Sequence, residues 1–146
     1  KDPYKSFLSS NFLMPKSIFQ TVKFDETIRQ YGHEDTLFGL KLKELKIPII
    51  HLDNPIEHAG LETNSVFLKK SEKAIENLSK LYQKKKIEPT KLIDIYLKIN
   101  QLGMSGVVFY ILSSYENVLL KNLKSDVPSL RFFDYYKLLL FLKTRF

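Results

Sequence analysis

The chain has 146 residues and no cysteine, and its 23 lysines and arginines against 16 aspartates and glutamates give a formal charge of +7. This length suits one domain or a domain with an appendage, and the lack of cysteine excludes disulfides and cysteine-based zinc sites and fits a reducing cytoplasm. The positive charge favours anionic partners, such as phosphorylated substrates, nucleic acid or anionic lipid, unless it only forms a lysine-rich solvated surface.

The N-terminal part predicts short strands that alternate with helices. Apolar runs and turn residues predict strands at 7–14 and 48–52. Pro15 suits the first turn of a short helix, and apolar residues at helical spacing predict a longer helix from Glu34 to Lys46. The sequence FDETIRQYG is typical of a loop or a broken turn, and DNPIEHAG is typical of a loop.

The C-terminal part predicts helices almost throughout. Apolar stripes at helical spacing indicate four helices, at about 67–83, 89–101, 107–119 and 129–145. The last is apolar on most sides, which is typical of a helix that is buried, lies on a membrane or meets a partner. Its apolar run is too interrupted by charges to span a bilayer. A change in composition near residues 84–89 predicts domains at 1–87 and 88–146.

The segment YGHEDTLFG, residues 31–39, concentrates the residues that could carry chemistry. Gly32 allows a sharp turn before Glu34 and Asp35, which fall in the first turn of the predicted helix. Acidic side chains there complement the helix dipole, which is the structural interpretation. A carboxylate in that position could also accept a proton from a hydroxyl group, which is the catalytic interpretation.

All three histidines lie between residues 33 and 58. His51, within an apolar run, is interpreted as a half-buried structural residue. His58 follows a loop and precedes small residues, so it could approach a ligand or a metal closely, although no neighbouring residues have metal-ligand spacing.

Three motifs in this order resemble a known family. They are FDE followed by YGHEDTLFG, then HLDNPIEHAG, then LETNSVFLKK. Together they are similar to the C-terminal half of a bacterial family 2 glycosyltransferase, an enzyme of the GT-A fold, over roughly residues 7–82. The resemblance implies an α+β and mostly helical chain, namely the C-terminal portion of a GT-A α/β fold with few short strands, followed by a helical tail.

The resemblance also implies roles for individual residues. Asp35 would be the catalytic base that deprotonates the acceptor hydroxyl, and Glu34 would bind or orient the acceptor. Asn11, Gly32 and His33 would contribute to substrate binding. His58 would join the shell of a divalent metal, Mn²⁺ or Mg²⁺, that holds the donor diphosphate.

The chain departs from the family pattern upstream of these motifs. No Asp-x-Asp triplet precedes Glu34, and about thirty residues are too few for a nucleotide-binding half. We therefore expect the acceptor-side part of an inverting transferase for polysaccharide biosynthesis, whose partners are a nucleotide-sugar donor and a saccharide acceptor. Alone, it should be inactive. The first residue is lysine, which agrees with a fragment or a processed product.

An alternative function is a non-catalytic, basic helical module that docks on a membrane surface or on a protein. The charge and the apolar tail favour it, and it could coexist with transferase activity at the inner face of the membrane. The tail could also form a homodimer. Nucleic acid is not an expected partner, because basic and aromatic residues are not interleaved as in RNA-binding strands.

Overall fold

The computed structural model describes residues 2–26, 31–57 and 59–146, and the chain divides into two compact units, Lys1–Leu61 and Glu62–Phe146. Every regular element within those described ranges is helical. A short 3₁₀ helix spans Pro3–Ser6. The α-helices are α1 (Lys16–Val22), α2 (Glu34–Glu44), α3 (Asn64–Gln83), α4 (Lys91–Gln101), α5 (Ser105–Ser114), α6 (Glu116–Leu123) and α7 (Leu130–Lys143).

The predicted α+β class, a portion of a GT-A α/β fold, is wrong, because the described residues contain no strand and no sheet. Segment 7–14 is turn and irregular structure, and segment 48–52 has no regular structure. The apolar residues that suggested strands are used otherwise: Phe7 is buried and stacks on Phe38 of α2, with ring centroids 5.0 Å apart. A strand needs a neighbouring backbone to pair with, whereas a helix satisfies its own backbone groups.

The core of the unit Lys1–Leu61 lies between the 3₁₀ helix, α1 and α2. Its buried residues are Phe7, Val22, Phe38 and Leu42. The 3₁₀ helix packs directly on α2 at Gly39, where an added Cβ would overlap the backbone carbonyl oxygen of Tyr4. Glycine at this position therefore lets the 3₁₀ helix and α2 approach each other closely.

The unit Glu62–Phe146 is built around α7, which contacts α3, α4, α5 and α6. The burial of Tyr136, Leu139, Phe141 and Leu142 confirms the buried interpretation of this apolar helix. Two hydrogen bonds join it to α3: the Tyr136 hydroxyl donates to Glu72 Oε1 at 2.6 Å, and the side-chain oxygens of Ser79 and Thr144 lie 2.7 Å apart.

The helix boundaries follow from local sequence. Thr63 and Thr90 cap α3 and α4 by accepting from the backbone amides of Val66 and Ile93. The C-terminal ends of α2, α3 and α4 share one motif, in which two amides turn back to carbonyls of the last helical turn. Its left-handed residue is Lys46, Lys85 and Gly103 respectively.

Most predicted helices are confirmed within two or three residues of their ends. The helix predicted over 107–119 is instead two helices, since α5 ends and α6 begins around Tyr115. The predicted domain boundary at 87/88 stays a prediction, although α3 lies in the same compact unit as α4–α7.

Among the described residues, no single helix combines the length and the hydropathy required to cross a bilayer. The pair α4 and α5 meets both criteria when taken together, but the two helices are bent by 117°.

Candidate functional site

A cavity of about 760 Å³ opens at the N-terminal end of α2, within the unit Lys1–Leu61. Its walls come from residues 6–9, Phe24 and residues 31–36. This volume lies within the usual range of small-molecule sites. The cavity therefore brings Gly32, His33, Glu34 and Asp35, four of the predicted site residues, to one place.

The turn before α2 is made by two successive residues with positive φ, Gly32 at 99° and His33 at 74°. Glycine adopts such angles freely, whereas a histidine in the left-handed region is uncommon. His33 is the residue immediately before α2, and its carbonyl accepts the first helical hydrogen bond, from Leu37, at 3.0 Å. The two angles turn the chain sharply, so that Glu34 and Asp35 lie at the cavity.

The two carboxylates of the site differ in their surroundings. Glu34 Oε1 accepts a hydrogen bond from the backbone amide of Gly32 at 3.2 Å, which fixes this side chain to the turn. Asp35 is half-buried at the cavity wall, and its carboxylate makes no hydrogen bond or ion pair with the residues that the structure describes. Glu34 is thus held by the protein, while Asp35 keeps its oxygens available for a ligand.

Aromatic rings form the apolar side of the cavity. Phe7 and Phe24 both stack on Phe38, with centroid distances of 5.0 and 4.4 Å, so the core of this unit also supports the cavity wall. Tyr31 adds a third ring, about half exposed. Sequence reasoning missed Phe24 and Tyr31 as site residues. The available signal was that they are the first and last residues of the segment FDETIRQY, just before the acidic motif.

Two other predicted residues lie outside the cavity walls. The Asn11 side chain is exposed and donates through Nδ2 to the carbonyl oxygen of Asn54 at 3.2 Å, so it joins two loops. His51, predicted to be half-buried, is exposed, and its Nε2 lies 3.0 Å from the Pro3 carbonyl oxygen. The strand expected to bury His51 does not form, which explains the difference in exposure.

The predicted metal ligand His58 lies outside the described residues. Within residues 2–26, 31–57 and 59–146, no three histidine or acidic side chains come together as a metal site. Those residues do not by themselves fit a divalent ion, so a metal shell that includes His58 stays a prediction.

Comparisons of the chain with protein families, with curated proteins and with solved structures give no match.

Proposed function

We propose that the cavity at the start of α2 is the acceptor site of an inverting glycosyltransferase. The observation that carries this proposal is the contrast between the two carboxylates: Glu34 is tied to the Gly32 amide, whereas Asp35 is half-buried at the cavity wall with no bonding partner among the described residues. The resemblance of the sequence around these residues to family 2 glycosyltransferases gives the reaction class.

The chemistry of the cavity suits a saccharide. A sugar ring presents hydroxyl groups at its edge and apolar C–H groups on its faces. Carboxylates can accept hydrogen bonds from the hydroxyls, and the rings of Phe24 and Tyr31 can contact an apolar face. Glu34 would orient the acceptor and Asp35 would contact the hydroxyl that reacts.

In the proposed reaction, the acceptor oxygen attacks the anomeric carbon of a nucleotide-sugar from the face opposite the leaving group. As the new carbon–oxygen bond forms, the bond to the diphosphate breaks and its electron pair leaves with the diphosphate. Asp35 takes the proton of the attacking hydroxyl. The donor nucleotide is assigned to a nucleotide-binding half outside residues 1–146, so this chain alone would bind an acceptor but not complete the transfer.

The test is an Asp35→Asn substitution in the complete enzyme. Loss of a general base should lower kcat by about 10²–10⁴ while acceptor KM changes little, because the amide keeps the shape of the carboxylate. Glu44→Gln is the matched control, since Glu44 is exposed at the opposite end of the same helix. Turnover of Asp35→Asn close to that of this control would remove Asp35 as the base.

Acceptor binding can be tested separately on this chain by saturation-transfer NMR with candidate saccharides. Glu34→Gln should weaken the signal of a bound sugar. Binding that is equally strong after Glu34→Gln and Tyr31→Ala would contradict an acceptor site in this cavity.

A further inference from the structure

The net positive charge of the chain comes entirely from the second unit. Residues 62–146 contain 15 lysines and arginines and 8 aspartates and glutamates, a net charge of +7, while residues 1–61 contain 8 of each kind and sum to zero. We therefore expect a surface that attracts an anionic partner to belong to the unit Glu62–Phe146 and not to the unit that contains the candidate acceptor site.

The same unit exposes an apolar helix. None of the ten residues of α5 is buried, although six consecutive residues, 107–112, are apolar or aromatic. One side of α5 packs on α7, and Phe109 stacks on Phe146 with centroids 4.9 Å apart. Several apolar residues of α5 are exposed, and exposed apolar residues follow in the sequence at Tyr115 and in α6. We call this set the α5 face; it consists of Val107, Tyr110, Ile111, Tyr115 and Val118.

The turn before α5 also exposes apolar residues. Leu102 is 72% exposed, and Met104 is exposed as well. An apolar helix side with no cover in its own unit is unfavourable in water and typically marks an interaction surface.

The charges around the α5 face indicate what covers it. Between Lys98 and Lys121 the sequence holds one charged residue, Glu116, and its carboxylate is paired with Lys143 Nζ at 2.6 Å. Lys98 and Lys121 are both exposed. The α5 face thus contains no charged residue, and two of its residues are tyrosines, which suit the boundary between headgroups and acyl chains.

This charge arrangement favours a lipid surface over a second copy of the chain. Two copies of this unit each carry a net charge of +7 and repel each other, which disfavours a contact between two α5 faces. An anionic bilayer offers negative headgroups to the positively charged unit and an apolar layer to the residues of the α5 face.

We propose that the α5 face docks on the surface of a bilayer that contains anionic lipid, with Tyr110 and Ile111 at the acyl boundary and Lys98 and Lys121 at the headgroups. This surface is independent of the acceptor cavity and of the transfer reaction proposed for it.

The test uses the full chain and the fact that it contains no tryptophan. Tyr110→Trp places the chain's single tryptophan in the α5 face, where it can be excited selectively over the tyrosines. Its emission should shift to the blue on adding vesicles that contain phosphatidylglycerol, and lipids with brominated acyl chains should quench it. Tyr135→Trp is the matched control, since Tyr135 is about half exposed on α7, and its emission should stay unchanged.

Two further variants separate the apolar and the electrostatic contributions. Replacing both Tyr110 and Ile111 by serine should lower vesicle partitioning at least about tenfold, whereas Leu130→Ser, at an exposed site on α7, should not. Lys98→Gln and Lys121→Gln should each lower partitioning onto anionic vesicles by about fivefold, with no effect on phosphatidylcholine vesicles.

Three results would overturn the proposal. The first is no blue shift of Tyr110→Trp with anionic vesicles at low salt, where the attraction is strongest. The second is equal quenching of both tryptophan variants. The third is a blue-shifted Tyr110→Trp without vesicles together with a doubled mass in sedimentation, which would assign the α5 face to a second copy.

Discussion

Gly39→Ala tests whether the close packing of the 3₁₀ helix on α2 is essential to the unit that holds the cavity. An alanine normally stabilises a helix interior by about 1 kcal/mol relative to glycine. At Gly39 the new Cβ would overlap the Tyr4 carbonyl oxygen and lie 3.2 Å from Phe7 Cβ. Adding an atom to a well-packed core usually costs about 1–3 kcal/mol of stability. We take the upper value at Gly39, because the overlapping atom belongs to the backbone, which moves less readily than the end of a side chain. We expect a net loss of about 2 kcal/mol.

Hydrogen exchange followed by mass spectrometry can measure this loss within one unit. Amides of α2 that exchange through opening of the unit Lys1–Leu61 should exchange about 30-fold faster in Gly39→Ala. Gly106→Ala is the matched control, because no atom lies within 4 Å of a Cβ built there in α5. That control should leave exchange in α2 unchanged and protect α5 slightly. Unchanged or slower exchange of α2 in Gly39→Ala would refute the packing argument.

Three other predictions concern stability. Phe38→Ala should cost about 3–5 kcal/mol in urea unfolding and weaken any ligand of the cavity, because two cavity-lining rings stack on Phe38. Lys85→Gly should stabilise the folded chain by up to about 1 kcal/mol, and Gly103→Ala should destabilise it by a similar amount, because glycine tolerates the left-handed φ of these two positions better than other residues. The two substitutions should therefore shift the thermal unfolding temperature in opposite directions, and shifts of the same sign would contradict the argument. Burial and the hydrogen bond to Glu72 raise the pKa of Tyr136, so the folded chain keeps this proton to higher pH than the unfolded chain, and stability should fall by up to about 1.4 kcal/mol per pH unit above 10. Tyr136→Phe should reduce this loss of stability above pH 10. If the variant and the original chain lose stability equally with pH, Tyr136 is not the group responsible.

Helices were predictable from the sequence because each depends mainly on its own residues. The apolar stripe from Phe67 to Tyr82 indicates α3 with no knowledge of its neighbours, although the cap at Thr63 that begins this helix was not predicted. The strands expected at 7–14 and 48–52 depended on partner segments, and apolar content alone cannot show whether a partner exists. Phe7 illustrates the ambiguity, since the same side chain would suit a buried strand or the aromatic stack that the structure contains.

The site was predictable in part. The glycine before two acidic residues indicated a turn that leads into a helix, and the structure has that turn, with Glu34 and Asp35 as the first residues of α2. The different bonding of the two carboxylates could not be predicted, because it depends on the backbone angles at Gly32 and His33. The roles of Asn11 and His58 were taken from the resemblance; Asn11 lies outside the cavity walls, and His58 lies outside the described residues.

The central position of α7 has a consequence for synthesis of the chain. Two hydrogen bonds connect α3 to the C-terminal helix: Glu72 with Tyr136, and Ser79 with Thr144. The two partners are 64 and 65 positions apart in the sequence, so about 65 further residues must be synthesised before α3 can pack on α7. At about 5–20 residues per second, that interval lasts about 3–13 s. During it, α4, α5 and α6 emerge in turn without the helix that covers them, and both sides of α5 are open until α7 emerges. A nearby anionic membrane or a chaperone can therefore meet α5 before α7 does, and the timing of translation becomes part of how this unit reaches its folded state.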